Sequence, residues 1–225
     1  MNEIRKAAYV CKQAETAGDL ELINRQALRE LKAEEVFAFR LAACDDQVDR
    51  DHERFTLAAL EGLAERFVGR TVLMDHQWSA KGQTARVYAG AVEEEKGVHR
   101  LVLRAYMLRT GETEAVIAAI EGGILREVSV GCAVERALCS ICGADKGKTS
   151  CPHRPGAVYG GQTCHVDLDG ARDAYEVSFV AVPAQPKAGV VKKYGGERGP
   201  AMEEEALCLA QARQALEEKR YGGLP

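Results

Sequence analysis

Short apolar runs bounded by polar turns fill most of the middle of the chain. Alternating apolar and polar positions, with many β-branched residues, predict strands in these runs. The predicted strands cover residues 36–43, 71–75, 85–92, 99–108, 124–134 and 174–182. They do not alternate regularly with helices, so a doubly wound parallel fold is not expected. The pattern favours an α+β domain built on a mainly antiparallel β-barrel or sheet with flanking helices.

Apolar residues recur at helical spacing in the segments that flank these strands. This spacing predicts helices over residues 55–67, 111–121 and 201–220, and residues 1–34 are polar and helix-prone. A glycine-rich stretch near residues 194–200 is typical of a linker. We therefore expect an N-terminal helical segment at 1–34, a central domain at 35–194, and a linker with a C-terminal helical tail at 195–225.

Composition and charge narrow the classes of function. The chain has 225 residues with 30 basic and 34 acidic side chains, so its formal net charge is −4. That charge provides no general attraction to nucleic acid or to an anionic membrane, and neither is expected as a partner. No apolar run has the length of a transmembrane helix, and no signal-peptide core follows Met1. These features predict a cytoplasmic protein.

Three predicted strands each bring one candidate catalytic side chain. His76 follows the apolar run at 71–74, Ser129 lies two residues before Gly131, and Glu176 begins a Glu-Val-Ser strand. A serine needs a neighbouring imidazole to take its proton, and a carboxylate behind that imidazole fixes its tautomer. A serine within a strand is ordinarily only a small strand residue, and no Gly-x-Ser-x-Gly elbow is present to indicate an α/β-hydrolase.

The order of four segments around these residues resembles the prohead, or capsid maturation, proteases of tailed phages. Those enzymes are serine proteases similar in fold to the herpesvirus assemblin protease. The matching segments are the turn at 49–55, the strand end at 74–76, the segment at 121–131 and the strand at 175–188. The resemblance extends over residues 36–188, about two-thirds of the chain.

This resemblance implies a serine endopeptidase with Ser129 as the nucleophile and His76 as the general base. The third member is Glu176, with Asp173 as the alternative; the two point to opposite faces of a strand, so at most one serves. Ser178 shares a face with Glu176 and is interpreted as structural. Gly131 has no side chain, so it would leave nearby backbone N–H groups accessible to bind an oxyanion.

The resemblance also implies the biological setting. The expected substrate is a phage capsid or scaffold protein, and the protease itself is a second expected substrate. The enzyme would act in the host bacterial cytoplasm inside the procapsid, as a homo-oligomer. The terminal helices would dock in the capsid scaffold, be removed by self-cleavage, or merely flank the domain.

Half of the eight cysteines lie close together between residues 139 and 164. Without a secretion signal, metal binding or free thiols are favoured over disulfides. A Cys-x-x-Cys pair followed by a Cys-x-His is typical of a structural zinc site, so we expect zinc within a cysteine-rich insertion at about 137–168. The expected ligands are Cys139, Cys142, Cys151 and His153, with Cys164 competing with His153.

Two rival functions use the same residues differently. The chain could be a non-enzymatic zinc-binding phage assembly or scaffold module, in which His76 and Ser129 are only strand residues. A weaker rival is a redox or metal-dependent enzyme that uses Cys139 and Cys142. A thioredoxin-like redox motif requires a β-α-β setting, which the predicted elements do not provide.

Overall fold

The chain folds as an α+β structure around a mixed, mainly antiparallel β-sheet. The structure is a computed structural model that describes residues 4–12 and 17–181. The predicted linker and C-terminal helix lie outside the described residues. No helix within the described ranges has the length and hydrophobicity to cross a membrane.

The strands are numbered in chain order. They are β1 (Ile4–Lys12), β2 (Val36–Asp45), β3 (Glu53–Phe55), β4 (Thr71–Met74), β5 (Ala85–Glu95), β6 (Val98–Leu108), β7 (Glu127–Cys139), β8 (Val158–Tyr159), β9 (Gln162–Thr163) and β10 (Val166–Phe179). The α-helices are α1 (Ala17–Asn24), α2 (Leu57–Arg66) and α3 (Glu114–Glu121). Short 3-10 helices lie at Ala33–Glu35 and Ala80–Gly82.

Eight of these strands form the main sheet, in the order β3-β10-β4-β5-β6-β2-β1-β7. Strand β10 also pairs with β7, which connects the β7 end of this order back to β10. Strand β10 runs parallel to β3 and β4, whereas the other pairs of neighbours in the main sheet are antiparallel. The small β8–β9 hairpin stands apart, in the cysteine-rich segment.

Helix α2 covers one face of the sheet and completes the main core. Its buried Leu60 and Leu63, with Phe67 just beyond its end, join a cluster that includes Phe39 and Phe179. The helix lies close to β10, because a Cβ on Gly62 would come within 2.7 Å of the Cβ of Ala171. The helical spacing of apolar residues in 55–67 thus corresponds to a face of the helix that is buried in the core.

The sequence prediction of the N-terminal segment is wrong for its first part. Residues 4–12, expected to be helical, form strand β1, which pairs with β2 on one side and β7 on the other. A helix does follow, but it covers Ala17–Asn24 only. The alanine and lysine content of Ile4–Lys12 favours a helix locally, whereas the position between two strands provides backbone hydrogen bonds along both edges.

The coarse fold class is confirmed, and the predicted strands and helices of the middle of the chain are largely present. The predicted runs at 36–43, 71–75, 85–92, 99–108, 124–134 and 174–182 correspond to β2, β4, β5, β6, β7 and β10. Strand β10 begins at Val166, eight residues before its predicted start, so it extends into the predicted cysteine-rich insertion.

Replacing Thr56 by Ala should destabilise the fold by about 1–2 kcal/mol. The Thr56 side chain caps α2 by accepting from the Ala59 N–H at 3.2 Å, and its hydroxyl donates to Asp169 Oδ1 on β10 at 2.8 Å. Thr56→Ser keeps both bonds and is the matched control. Urea unfolding of both variants measures the effect, and equal stabilities would contradict this account of the helix start.

Candidate active site and metal centre

Strands β7 and β10 place the candidate residues on one shared face. Ser129 lies directly opposite Ser178, and Gly131 directly opposite Glu176. Residues opposite each other in an antiparallel pair project to the same side of the sheet. Their neighbours in the strands, including Val130 and Val177, belong to the hydrophobic core instead. The serine, the carboxylate and the second serine therefore share the face away from that core.

Gly131 leaves room for the Glu176 carboxylate. A Cβ at this position would lie 2.7 Å from Glu176 Oε1, closer than Cβ atoms are found to other atoms. A glycine therefore fits this position, because the Glu176 side chain fills the space that a Cβ would need. The expectation that Gly131 exposes backbone N–H donors has no support here, because it lies within the β7 ladder between β1 and β10.

His76 reaches this face through a turn after β4. Strand β4 ends at Met74, which pairs with Phe179 of β10, and the Asp75 N–H donates to the Phe179 carbonyl at 2.9 Å. Asp75 and His76 both adopt left-handed backbone conformations, with φ of 51° and 53°. Such conformations are uncommon outside glycine and concentrate at functional sites.

A buried hydrogen-bonded pair joins His76 to Glu176. The His76 Nδ1 atom lies 2.7 Å from Glu176 Oε1, the carboxylate is fully buried, and the imidazole is 14% exposed. Nδ1 faces the carboxylate and would donate to it, which would leave Nε2 as the ring nitrogen that can accept a proton. His76 Nε2 makes no hydrogen bond to the described part of the chain.

Ser129 lies beside this pair, with no hydrogen bond to the His76 ring within the described residues. Its side chain is mostly buried, at 6% exposure, and faces the side of the sheet that carries Glu176 and Ser178. The structure therefore contains a formed histidine–carboxylate pair with a serine one cross-strand position away. Hydrogen bonds at catalytic serines often shorten only when substrate binds.

The structure pairs Asp173 with Arg70 rather than with His76. Asp173 Oδ1 accepts from Arg70 Nη2 at 3.0 Å, and its side chain is 46% exposed. The prediction that Asp173 and Glu176 point to opposite faces is wrong: their partners Ala133 and Gly131 are two residues apart on β7 and share a face, because the register shifts between Ala174 and Glu176. Of the two carboxylates considered from the sequence, Glu176 is the one that contacts the histidine.

Ser178 is the residue that sequence reasoning undervalued. Its hydroxyl donates to Glu176 Oε2, and its oxygen accepts from the His76 backbone N–H at 3.2 Å. The side chain is fully buried. The available signal was the alternation of β10, because a residue two positions after a buried carboxylate faces the same way.

A second group of reactive side chains lies where β7 ends. The ligand atoms of Cys139, Cys142, Cys151 and His153 all lie within 4.8 Å of one another, so this Cys3His cluster could hold a metal ion. Cys142 Sγ lies 3.5 Å from Cys151 Sγ, which in turn lies 3.6 Å from His153 Nδ1. Tetrahedral zinc with bonds of about 2.0–2.3 Å sets ligand atoms roughly 3.5–3.8 Å apart.

Cys164, the alternative ligand, lies just outside this cluster. Its Sγ is 3.9 Å from Cys139 Sγ, and its side chain is fully buried. Burial and the neighbouring Cys139 thiol raise the pKa of Cys164. The Cys3His set agrees with the four ligands predicted first from the sequence.

The turn after β7 favours a thiolate at Cys139. Burial acts to raise the pKa of this thiol, but the backbone N–H groups of Cys142 and Ile141 and the neighbouring thiols lower it to about 6. The Gly143 N–H closes the turn by donating to the Cys139 carbonyl at 2.8 Å. The backbone itself is thus arranged to stabilise negative charge on sulfur.

His153 is held in place by contacts outside the cluster. Its ring meets that of Tyr159 edge to face, with centroids 4.6 Å apart, and its carbonyl accepts from Lys146 Nζ at 2.7 Å. The Tyr159 hydroxyl accepts from the Arg154 N–H at 3.0 Å. Such supporting contacts orient a histidine toward a metal.

No family model, curated protein or solved structure matches this chain. The similarity to prohead proteases therefore stays a prediction from the sequence. The chemistry of the two sites follows from their own residues.

Gly131→Ala should disrupt the His76–Glu176 pair. The new methyl group would occupy the space of Glu176 Oε1 and displace a buried charge, so we expect a loss of about 1–3 kcal/mol in the free energy of unfolding. The His76 ring N–H signal in NMR spectra should shift or broaden.

Gly111→Ala is the matched control, because a Cβ there has no neighbour within 4 Å. Denaturant unfolding and NMR spectra of both variants measure the difference. A Gly131→Ala protein as stable as the control, with an unchanged His76 signal, would contradict this placement of the carboxylate.

Proposed function

We propose that this chain is a serine endopeptidase of the prohead protease type, with Ser129 as nucleophile, His76 as general base and Glu176 as the orienting carboxylate. The observation that carries the proposal is the buried His76–Glu176 pair at 2.7 Å, on the face of the sheet that also carries Ser129. A histidine with a carboxylate behind Nδ1 is arranged to accept a proton at Nε2.

The proposed reaction proceeds through an acyl-enzyme. Ser129 Oγ attacks the scissile carbonyl carbon while its proton passes to His76 Nε2. The tetrahedral intermediate collapses, the C–N bond breaks, and the amine leaves with the proton from His76. A water molecule then attacks the ester and gives a proton to His76, which passes it to Ser129 Oγ as the C–O bond to the serine breaks and the carboxylic acid leaves. Glu176 stabilises the imidazolium at each stage and stays ionised.

The pairing of β7 with β10 supports this choice of nucleophile. Ser129 and Ser178 are opposite residues in an antiparallel pair, so their Cα atoms lie about 4.5–5.5 Å apart. Ser178 Oγ itself contacts the His76 backbone N–H. The nucleophile therefore stands opposite the residue that contacts the His76 backbone, and the proposed reaction requires Ser129 Oγ to come within hydrogen-bond distance of His76 Nε2.

The proposed substrates are phage capsid or scaffold proteins, with the chain itself as a further substrate. The four segments of similarity to prohead proteases support this choice, and so does the mixed, mainly antiparallel sheet in place of an α/β-hydrolase sheet. Action as a homo-oligomer inside the procapsid belongs to the same proposal.

Ser129→Ala should abolish the hydrolytic activity of the full chain. A fluorophosphonate reagent, which phosphonylates activated serines, should modify the wild-type protein at Ser129 and leave the variant unmodified. Mass spectrometry locates the adduct. Ser140→Ala is the control, because Ser140 lies at the cysteine-rich end and its hydroxyl accepts from the His165 N–H at 2.9 Å. Unchanged cleavage of a capsid precursor by Ser129→Ala would refute the proposal.

We also propose that the Cys3His cluster holds a structural Zn²⁺. Four protein ligands complete a tetrahedral shell and leave no open position for a substrate or water, as in other structural zinc sites. Three thiolates and one imidazole suit zinc better than magnesium or calcium, which prefer oxygen ligands. This site supports the rival function, a zinc-binding assembly module, as the second candidate.

The purified chain should contain one zinc ion per molecule. Replacing Cys142 and Cys151 together by Ser removes two ligands, so the metal should be lost and the melting temperature should fall. Cys164→Ala is the matched control and should retain zinc, because its sulfur lies outside the ligand set. Elemental analysis checks both variants. Zinc lost from Cys164→Ala but kept by the double variant would overturn the ligand assignment.

A further inference from the structure

We propose that Ser178 is a positioning residue that fixes both the general base and its carboxylate. This inference rests on the proposed function, since it assigns Ser178 a role within the same reaction. Ser178 contacts neither the substrate nor the reacting atoms. It acts through two hydrogen bonds, one to the Glu176 side chain and one from the His76 backbone.

The first bond completes the surroundings of the Glu176 carboxylate. His76 Nδ1 forms a hydrogen bond with Glu176 Oε1, and the Ser178 hydroxyl donates to Glu176 Oε2. Because this carboxylate is fully buried, an oxygen without a donor would be costly. Two donors on different oxygens also fix the plane of the carboxylate. That plane determines the direction in which His76 is held.

The second bond fixes the backbone that carries the base. His76 lies in a left-handed conformation at the end of a short turn, where a residue with a Cβ is held only by its surroundings. Its N–H donates to Ser178 Oγ at 3.2 Å. One buried hydroxyl therefore connects the His76 main chain to the carboxylate that binds the His76 ring.

The same contacts exclude Ser178 as the nucleophile. Its proton points to Glu176 Oε2, and one of its two lone pairs accepts the His76 N–H. The ring nitrogen nearest the carboxylate is already used by Glu176. The serine opposite, Ser129, has no such bonds within the described residues and keeps its hydroxyl for the reaction.

The test compares Ser178→Ala with Thr56→Ala in the full-length chain. Both variants remove a buried or half-buried hydroxyl that donates to a carboxylate, but Thr56 contacts Asp169 at the start of α2 and not the candidate site. The rate of Ser129 phosphonylation by a fluorophosphonate is measured for each. We expect Ser178→Ala to slow it about tenfold or more, and Thr56→Ala to leave it unchanged below its melting temperature.

A second readout does not depend on activity. The His76 Nδ1–H proton, held by a buried carboxylate, should give a slowly exchanging downfield NMR signal in the wild-type protein and in Thr56→Ala. Ser178→Ala should lose that signal or exchange it faster. Ser178→Cys keeps the side-chain volume with a weaker donor and should give intermediate results, so it serves if Ser178→Ala does not fold.

The outcomes separate the two proposals. If the wild-type protein is not labelled at Ser129, the protease proposal fails, and the NMR signal still decides the role of Ser178. If Ser129 is labelled but Ser178→Ala reacts at the wild-type rate with its His76 signal intact, Ser178 is only structural. Equal slowing by Thr56→Ala would likewise overturn the inference, since it would show that loss of stability alone explains the effect.

Discussion

The antiparallel pairing of β7 with β10 is the interaction on which both candidate sites depend. It extends from Phe179 opposite Val128 to Val166 opposite Cys139. One end presents Ser129 beside Ser178 and Gly131 beside Glu176. The other end starts and closes the segment that contains the Cys3His cluster. Neither set of residues is brought together by local sequence, because both require this long-range register.

The buried Glu176 carboxylate limits which side chains can lie beside it in this pairing of β7 with β10. Glu176 has no exposed surface, so its charge must be balanced by nearby donors. His76 and Ser178 supply these donors, and Gly131 removes the one Cβ that would collide with it. The pattern Ser-x-Gly on β7 and Glu-x-Ser on β10 is thus one physical unit. Changing Gly131, Glu176 or Ser178 alone leaves a clash or an unpaired buried polar group.

The sequence predicted those features that depend on local pattern. Period-two alternation located the central strands, helical spacing located α2, and Cys-x-x-Cys with Cys-x-His located four side chains that the structure brings together. Each of these patterns lies within a few neighbouring residues of the sequence, so it can be recognised without knowledge of the folded chain.

The features that sequence reasoning missed depend on distant partners. Strand β1 is a strand because β2 and β7 flank it, although its own residues favour a helix. Ser178 gains its role from a turn about a hundred residues earlier, and Gly131 is explained by a side chain on another strand. The early start of β10 at Val166 follows from its pairing with β3 and with the end of β7. Local propensity carries none of this information.

The length of β7 also determines what a metal in the Cys3His cluster can do. Ten residues separate Ser129 from Cys139 along this strand, and at about 3.3 Å per residue they span roughly 30 Å. At that separation a metal ion cannot polarise a carbonyl or activate a water at Ser129. Its four ligands also leave no open position for chemistry at the cluster itself. The two sites are connected through the register of β7 and β10, so metal binding would support the hairpin, whereas the serine, histidine and carboxylate would supply the proposed reaction.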